Sequence, residues 1–189
     1  TITVPEDIFE ELTAQDASVA GFNPYEQPTV RDLLYGVLLP SGADACETLA
    51  RAVGGSEEGF VAMMNQKAEE LGLTNTHFEN CTGLHNDNHY STCRDIAVLM
   101  SECLKSDTFR EIVTREVYTT EDTASHPEGI TLYDTMLHRF TSYEMSTTLE
   151  NGAVIEGGKT GFTDEAGQCL VSFAEYGGEE YILVTAEAM

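Results

Sequence analysis

The chain is poor in basic residues, and this scarcity excludes several classes of partner. Its 189 residues include 9 Lys and Arg against 33 Asp and Glu, so that the formal net charge is −24 at pH 7. A protein that binds nucleic acid through its phosphates needs a basic face. An anionic membrane surface repels the same excess of negative charge. We therefore expect no nucleic-acid partner and no contact with a membrane through basic residues.

Long apolar runs and paired cysteine motifs are also missing. No run approaches the roughly 18 apolar residues that a membrane span requires, and residues 1–5 lack the basic n-region of a signal peptide. We therefore expect neither a membrane anchor nor a signal peptide within residues 1–189, and the sequence makes no prediction about segments outside them. The cysteines form no C-x-x-C pair, so we expect buried free thiols rather than a disulfide framework. These cysteines are Cys46, Cys81, Cys93, Cys103 and Cys169.

Helical periodicity dominates the chain between residues 29 and 110. A capping box at Thr29 and Asp32 opens a helix that Pro40 ends. Apolar spacing and glycine stops predict further helices over 43–53, over about 56–71 and from Thr92 onward.

Strand patterns dominate the second half. They predict strands over 112–119 and 153–162, and a hairpin of 168–176 with 180–187 that turns at Gly177 and Gly178. Helices followed by strands favour an α+β fold with an antiparallel sheet flanked by helices. We expect one domain over 1–189, with a helical region at about 29–110 inserted between sheet-forming parts at about 1–28 and 111–189.

The tripeptide Lys159-Thr160-Gly161 closes a glycine-rich strand candidate. A strand that ends in this way presents a cation, a hydroxyl and a bare backbone edge along one line. Such an edge can hold a peptide as an added strand, while Lys159 and Thr160 face the carboxylate of that peptide. Taken alone, the tripeptide fits an ordinary strand with a surface lysine equally well.

A second motif, Ser41-Gly42-Ala43-Asp44-Ala45, follows one predicted helix and opens the next. It resembles the Ser-x-Asn element of the serine D-Ala-D-Ala carboxypeptidases, which are low-molecular-mass penicillin-binding proteins related in fold to class A β-lactamases. Residues 60–78, 82–84 and 89–95 and the hairpin after Thr163 are similar to the same family. The resemblance covers about 28–186 and implies a β-lactamase/penicillin-binding-protein-like fold.

The resemblance implies a role for each matching residue. In this family, a Ser-x-x-Lys serine attacks the carbonyl between two D-alanines and forms an acyl-enzyme that water hydrolyses. Ser41 would relay a proton to the leaving amine with electrostatic help from Lys159, and Lys159 and Thr160 would bind the terminal carboxylate. The Phe162 N–H would donate to the oxyanion. The expected substrate-binding set is Ala43, Thr160, Gly161, Phe162 and Thr163.

Two departures from the family pattern stand out. None of the serines is followed by a lysine three positions later, so Ser-x-x-Lys is not within these residues. The resemblance implies that the catalytic helix precedes residue 1 and that a C-terminal helix follows residue 189, so the domain is expected to be incomplete at both ends and inactive alone. Ala43 stands where the family has an asparagine, whose amide contacts the substrate backbone, and alanine cannot replace its hydrogen bonds.

A zinc site is the main alternative for the segment between residues 77 and 93. Five metal-binding side chains fall there, but their spacing fits no closed Cys/His site. They are His77, Cys81, His85, His89 and Cys93. We expect no metal and no cofactor.

The resemblance therefore predicts a serine-type D-Ala-D-Ala carboxypeptidase, a cell-wall hydrolase that cleaves peptidoglycan stem peptides through an acyl-enzyme. Its action would be extracytoplasmic, and β-lactam antibiotics would inhibit it. One alternative is a β-lactamase or another serine acyl hydrolase of the same fold. A different alternative is a catalytically degenerate peptidoglycan-binding domain, which Ala43 and the missing nucleophile favour.

Overall fold

Helices form the first part of the molecule in the computed structural model, which describes residues 1–188. The predicted helices over 43–53 and about 56–71 are confirmed to within a residue or two. The helices are α1 (Ile8–Ala14), α2 (Val30–Leu38), α3 (Ala43–Gly54), α4 (Glu57–Glu70), α5 (Cys93–Cys103), α6 (Asp107–Val113) and α7 (Leu137–Ser142). Within residues 1–188, no helix is both long and apolar enough to cross a membrane.

Side-chain caps explain where α2, α4 and α5 begin. The Thr29 hydroxyl accepts the Asp32 N–H at 3.1 Å, and the Asp32 carboxylate accepts the Thr29 N–H at 3.1 Å, which confirms the capping box. Ser56 and Thr92 cap α4 and α5 through their hydroxyls. Each such cap stabilises a helix by about 1 kcal/mol.

Two antiparallel sheets are formed by the chain after α6, and α7 lies between them in sequence. The short strands β1 (Val117–Thr119) and β2 (Thr131–Tyr133) pair with each other, and β3 (Val154–Thr163), β4 (Gly167–Tyr176) and β5 (Glu179–Ala188) form a sheet in that order. The hairpin turn has φ values of 64° at Gly177 and 84° at Gly178, which glycine adopts without steric cost. The predicted hairpin and the predicted α+β class are confirmed.

The prediction that residues 1–28 contribute to the sheet is wrong. No strand occurs there, and the segment contains α1 instead. Ile8 and Leu12 lie about one turn apart on α1 and are both buried, so one face of this helix packs into the core. Before α1, the chain runs extended beside residues 26–28, and the Val4 N–H donates to the Glu26 carbonyl at 2.9 Å.

The predicted strand over 112–119 is also partly wrong. Helix α6 extends to Val113, and β1 begins only at Val117. Ile112 and Val113 are both buried, because α6 packs between the core and the sheet. The alternation of apolar and polar residues that predicted a strand therefore spans the end of α6 and the start of β1. Helix α7 further interrupts the region 111–189 that was predicted to form the sheet.

Two apolar clusters hold the helices against the sheet. Tyr35 of α2 is fully buried and stacks on Tyr118 of β1 at a ring-centroid distance of 3.7 Å. Met100 of α5, Val113 of α6 and Phe173 of β4 form the second cluster. The second cluster fixes the position of the sheet, and therefore of β3, beside the helices that precede it.

Candidate active site

The turn between α2 and α3 holds Ser41 in an unusual conformation. Its φ is +61°, in the left-handed region that costs energy for any residue except glycine. The Gly42 N–H donates to the Gly36 carbonyl at 2.9 Å, and a Cβ at Gly42 would lie 2.6 Å from that of Ala20. Only glycine fits at this position. The turn therefore fixes the serine between two helices.

Asp44, at the start of α3, ties this helix to residues 20–22. Its carboxylate is completely buried and accepts four backbone N–H groups. Oδ1 accepts from Ala20 at 2.7 Å and from Ala45 at 2.9 Å, while Oδ2 accepts from Gly21 and from Phe22, each at 3.0 Å. The carboxylate also lies at the start of α3, where the helix dipole favours a negative charge.

Lys159 of β3 meets Ser41 across 118 positions of sequence. Its Nζ donates to the Ser41 Oγ and also to the Thr160 carbonyl at 3.0 Å. Burial lowers the pKa of Lys159, and the nearby charge of Asp134 works in the opposite direction. The structure thus brings together the two side chains that the sequence assigned to proton transfer.

The other residues predicted to bind substrate continue along β3. Within residues 1–188, β4 is the only strand that pairs with β3; residues 147–148 also bridge Val154 and Ile155, so the second edge of β3 is open only beyond Ile155. The Thr160 Oγ1 lies 2.5 Å from the Thr135 Oγ1, and Gly161 has space around it, with the nearest atom 3.7 Å from a Cβ placed there. Phe162 is 62% exposed, and the Thr163 hydroxyl accepts a backbone N–H of the following turn.

Ala43 lies apart from the polar contacts of this site. It is the first residue of α3 and is 5% exposed, and its methyl group packs in the main apolar cluster. Its N–H donates to the Ser18 carbonyl at 2.8 Å. Ala43 therefore supplies packing, and its side chain offers no polar group to a substrate.

A cleft of about 720 Å³ lies beside the strand end. Phe162, Thr163 and His85 line it together with several carboxylates and Arg51, whereas Ser41 and Lys159 do not. The acidic side chains that line the cleft outnumber its single arginine, so the cleft is negative.

Cys81 and two glutamates form a compact cluster at this cleft. One ligand atom from each of Glu47, Glu57 and Cys81 lies within 4.8 Å of the others. The Cys81 thiol donates to Glu47 at 3.5 Å, its N–H donates to Glu57 at 3.1 Å, and the Arg51 Nε contacts Glu47 at 3.4 Å. The polar groups of the cluster are thus hydrogen-bonded to one another or paired with Arg51. None of the histidines considered above as zinc ligands belongs to the cluster.

The cysteines are all free, as predicted, but they are not all buried. Cys93 is exposed, and the others are partly buried. A hydrogen bond with Cys46 raises the pKa of the Cys81 thiol, and burial and the charges of Glu47 and Glu57 add to this effect.

Asp134 and Thr135 are the two residues of this site that the sequence did not reveal. Asp134 is 1% exposed, and its Oδ1 accepts the N–H groups of Met136 at 2.9 Å and Leu137 at 2.6 Å, just before α7. Burial raises the pKa of Asp134, while these bonds and the charge of Lys159 lower it. An aspartate just before a helix is a recognisable N-terminal signal, but Asp134 and Thr135 lie outside the motifs on which the family resemblance rests.

Comparison with known proteins identifies relatives along the whole chain. Residues 1–189 match the peptidase S11 family, described as D-alanyl-D-alanine carboxypeptidase. The chain is 35% identical to DacF of Bacillus subtilis over 176 residues, and 35% identical to the D-alanyl-D-alanine carboxypeptidase of Streptomyces strain K15 over 187 residues. These matches cover 93% and 96% of this chain but only 42% and 62% of the relatives.

Solved structures agree with the sequence relatives. The crystal structure of the Streptomyces K15 DD-transpeptidase matches with a TM-score of 0.83 and 34% identity, over 98% of this chain and 70% of that one. A penicillin-binding protein homologue from Mycobacterium tuberculosis matches with a TM-score of 0.75 and 29% identity, over 90% of this chain and 60% of that one. The predicted penicillin-binding-protein-like fold is confirmed, and the chain belongs to the D-alanyl-D-alanine carboxypeptidase family.

Proposed function

We propose that this chain is the middle portion of a serine-type D-Ala-D-Ala carboxypeptidase, which removes the terminal D-alanine of peptidoglycan stem peptides. The observation that carries the proposal is the contact of the Lys159 Nζ with the Ser41 Oγ in a member of this family. A strained serine held against a partly buried lysine is an arrangement suited to proton transfer.

The reaction needs a nucleophile that these residues do not contain, since no Ser-x-x-Lys occurs among them. We assign it to a segment outside the 189 residues. When that serine attacks the carbonyl between the two D-alanines, an ester bond to the serine forms and the C–N bond to the terminal D-alanine breaks. The hydroxyl proton of the attacking serine is relayed to Ser41, and Ser41 passes its own proton to the departing amine. The Lys159 cation, hydrogen-bonded to the Ser41 Oγ, stabilises the negative charge that develops there.

The open edge of β3, beyond Ile155, would bind the substrate. An extended peptide can pair with this edge, and the Phe162 N–H can then donate to the carbonyl oxygen under attack. The terminal carboxylate would meet Lys159 and Thr160. Since the protein as a whole is strongly acidic, this local cation is what makes an anionic terminus favourable here.

Location and inhibitors follow from this substrate. Peptidoglycan lies outside the cytoplasmic membrane, so the enzyme would act there. A β-lactam presents a strained amide and a carboxylate with similar placement, and would acylate the same nucleophile.

A catalytically degenerate peptidoglycan-binding domain is the second candidate. It is favoured by Ala43, whose methyl group is buried in the core and offers no hydrogen bond to a substrate backbone. Such a domain would bind the stem peptide without cleaving it.

The test is release of D-alanine from an N-acylated peptide ending in D-Ala-D-Ala, with the intact gene product. The same peptide ending in D-Ala-L-Ala is the matched control. Release of the C-terminal alanine from the first peptide, and not from the control, supports the carboxypeptidase. Rapid hydrolysis of β-lactams without D-alanine release would establish a β-lactamase instead, and binding without any release would establish the degenerate domain.

A further inference from the structure

Thr135 contacts both elements that carry the predicted catalytic residues. It lies between β2 and α7, and its backbone N–H donates to the Leu39 carbonyl at 3.2 Å. Leu39 comes two residues before Ser41 in the turn described above. The Thr135 Oγ1 lies 2.5 Å from the Thr160 Oγ1 on β3, next to Lys159. One residue therefore joins the serine turn to the lysine strand.

The surroundings of Thr135 leave it little freedom. On one side Asp134 is buried and bonded to two backbone N–H groups. On the other side the Met136 sulfur would lie 3.1 Å from a Cβ at Gly158, so the segment packs closely against β3. The distance between the two threonine hydroxyls is thus set by packing on both sides.

The direction of the hydroxyl–hydroxyl bond matters for substrate binding. Each threonine hydroxyl has a single proton to donate. A carboxylate is only an acceptor, so Thr160 must donate its proton to bind one. Thr160 can do so while keeping its bond to Thr135 only if Thr135 is the donor in that bond.

We propose that Thr135 is a positioning residue, which ties the Ser41 turn to β3 and directs the Thr160 hydroxyl proton toward the terminal carboxylate of the substrate. This inference rests on the proposed function, because it assumes that Thr160 meets the carboxylate. It assigns to Thr135 no contact with the substrate.

The test compares Thr135→Val, which keeps the shape and the backbone N–H, with Thr135→Ser, which keeps the hydroxyl. In Thr135→Val, Thr160 loses the donor that orients it, so the Kd and the KM for the D-Ala-D-Ala peptide should rise about tenfold, with kcat changed much less. Thr135→Ser should bind as the wild type does. Calorimetry gives Kd, and D-alanine release gives KM and kcat.

Thr131→Val is the matched control, because Thr131 makes an exposed hydroxyl contact with Thr119 at 3.4 Å, in the other sheet. It should leave Kd unchanged. Should Thr135→Val fail to fold, Thr135→Cys provides the same comparison with a much weaker donor.

The inference is overturned if Thr135→Val binds the peptide as tightly as the wild type, or if Thr135→Ser is impaired as much as Thr135→Val. Binding without D-alanine release in the wild type would sink the proposed activity, while the Kd comparison would still decide the role of Thr135. A wild type that neither binds nor cleaves the peptide overturns both.

Discussion

Replacing Asp44 by asparagine should strongly destabilise the protein. Asparagine keeps only one acceptor oxygen. If that oxygen takes the place of Oδ1, the NH2 group takes the place of Oδ2 and faces the N–H groups of Gly21 and Phe22, which then lose their acceptor. A hydrogen bond to a charged group contributes about 1.5–3 kcal/mol, so losing two lowers the free energy of unfolding by about 3–6 kcal/mol. This is a large part of the roughly 5–15 kcal/mol of a typical domain.

The assay is urea unfolding of the intact gene product, followed by far-UV circular dichroism. At roughly 2–4 °C per kcal/mol for a domain of 150–250 residues, the melting temperature should also fall by about 6–24 °C. Asp87→Asn is the control, since the Asp87 side chain is 98% exposed, and its effect should stay within about 0.5 kcal/mol. A loss below about 1 kcal/mol in Asp44→Asn, with an unchanged denaturant slope, would refute the anchoring role of Asp44.

Four further outcomes are expected. Lys159→Ala should abolish acylation by penicillin while changing stability by no more than about 1 kcal/mol, and an unchanged acylation rate would contradict its role. Ala43→Asn should speed acylation, and no change would mean that another group already fills that position. Asp134→Asn removes the charge that raises the pKa of Lys159, so the alkaline limb of the acylation–pH profile should move to lower pH, and a fixed limb would refute the coupling. Iodoacetamide should label the exposed Cys93 before Cys81, whose raised pKa leaves little thiolate, as peptide mass mapping would show; equal rates would contradict this.

Local signals made much of the fold predictable from the sequence. Capping side chains act within three residues, so Thr29, Ser56 and Thr92 marked the starts of their helices correctly. Gly177 and Gly178 likewise marked the hairpin, because the turn itself requires positive φ. The pair of Ser41 and Lys159 was found through motif resemblance, since no local rule joins residues so far apart.

The errors came where tertiary packing decides the structure. Residues 8–14 form α1 rather than a strand, and Ile8 and Leu12 of this helix are buried in the main apolar cluster, whose other members come from distant parts of the chain. Thr135 escaped notice because its importance depends on Leu39 and Thr160, which only the folded chain brings to it. A lone threonine beside an aspartate carries no sequence signal of such a role.

The measurement that tests the central claim most directly is the intact mass of the full gene product, with and without benzylpenicillin. The account predicts a single covalent adduct of long lifetime in the wild type, and none in Lys159→Ala. A folded wild-type protein that forms no adduct would contradict the account, and would point to a domain that binds peptidoglycan without cleaving it.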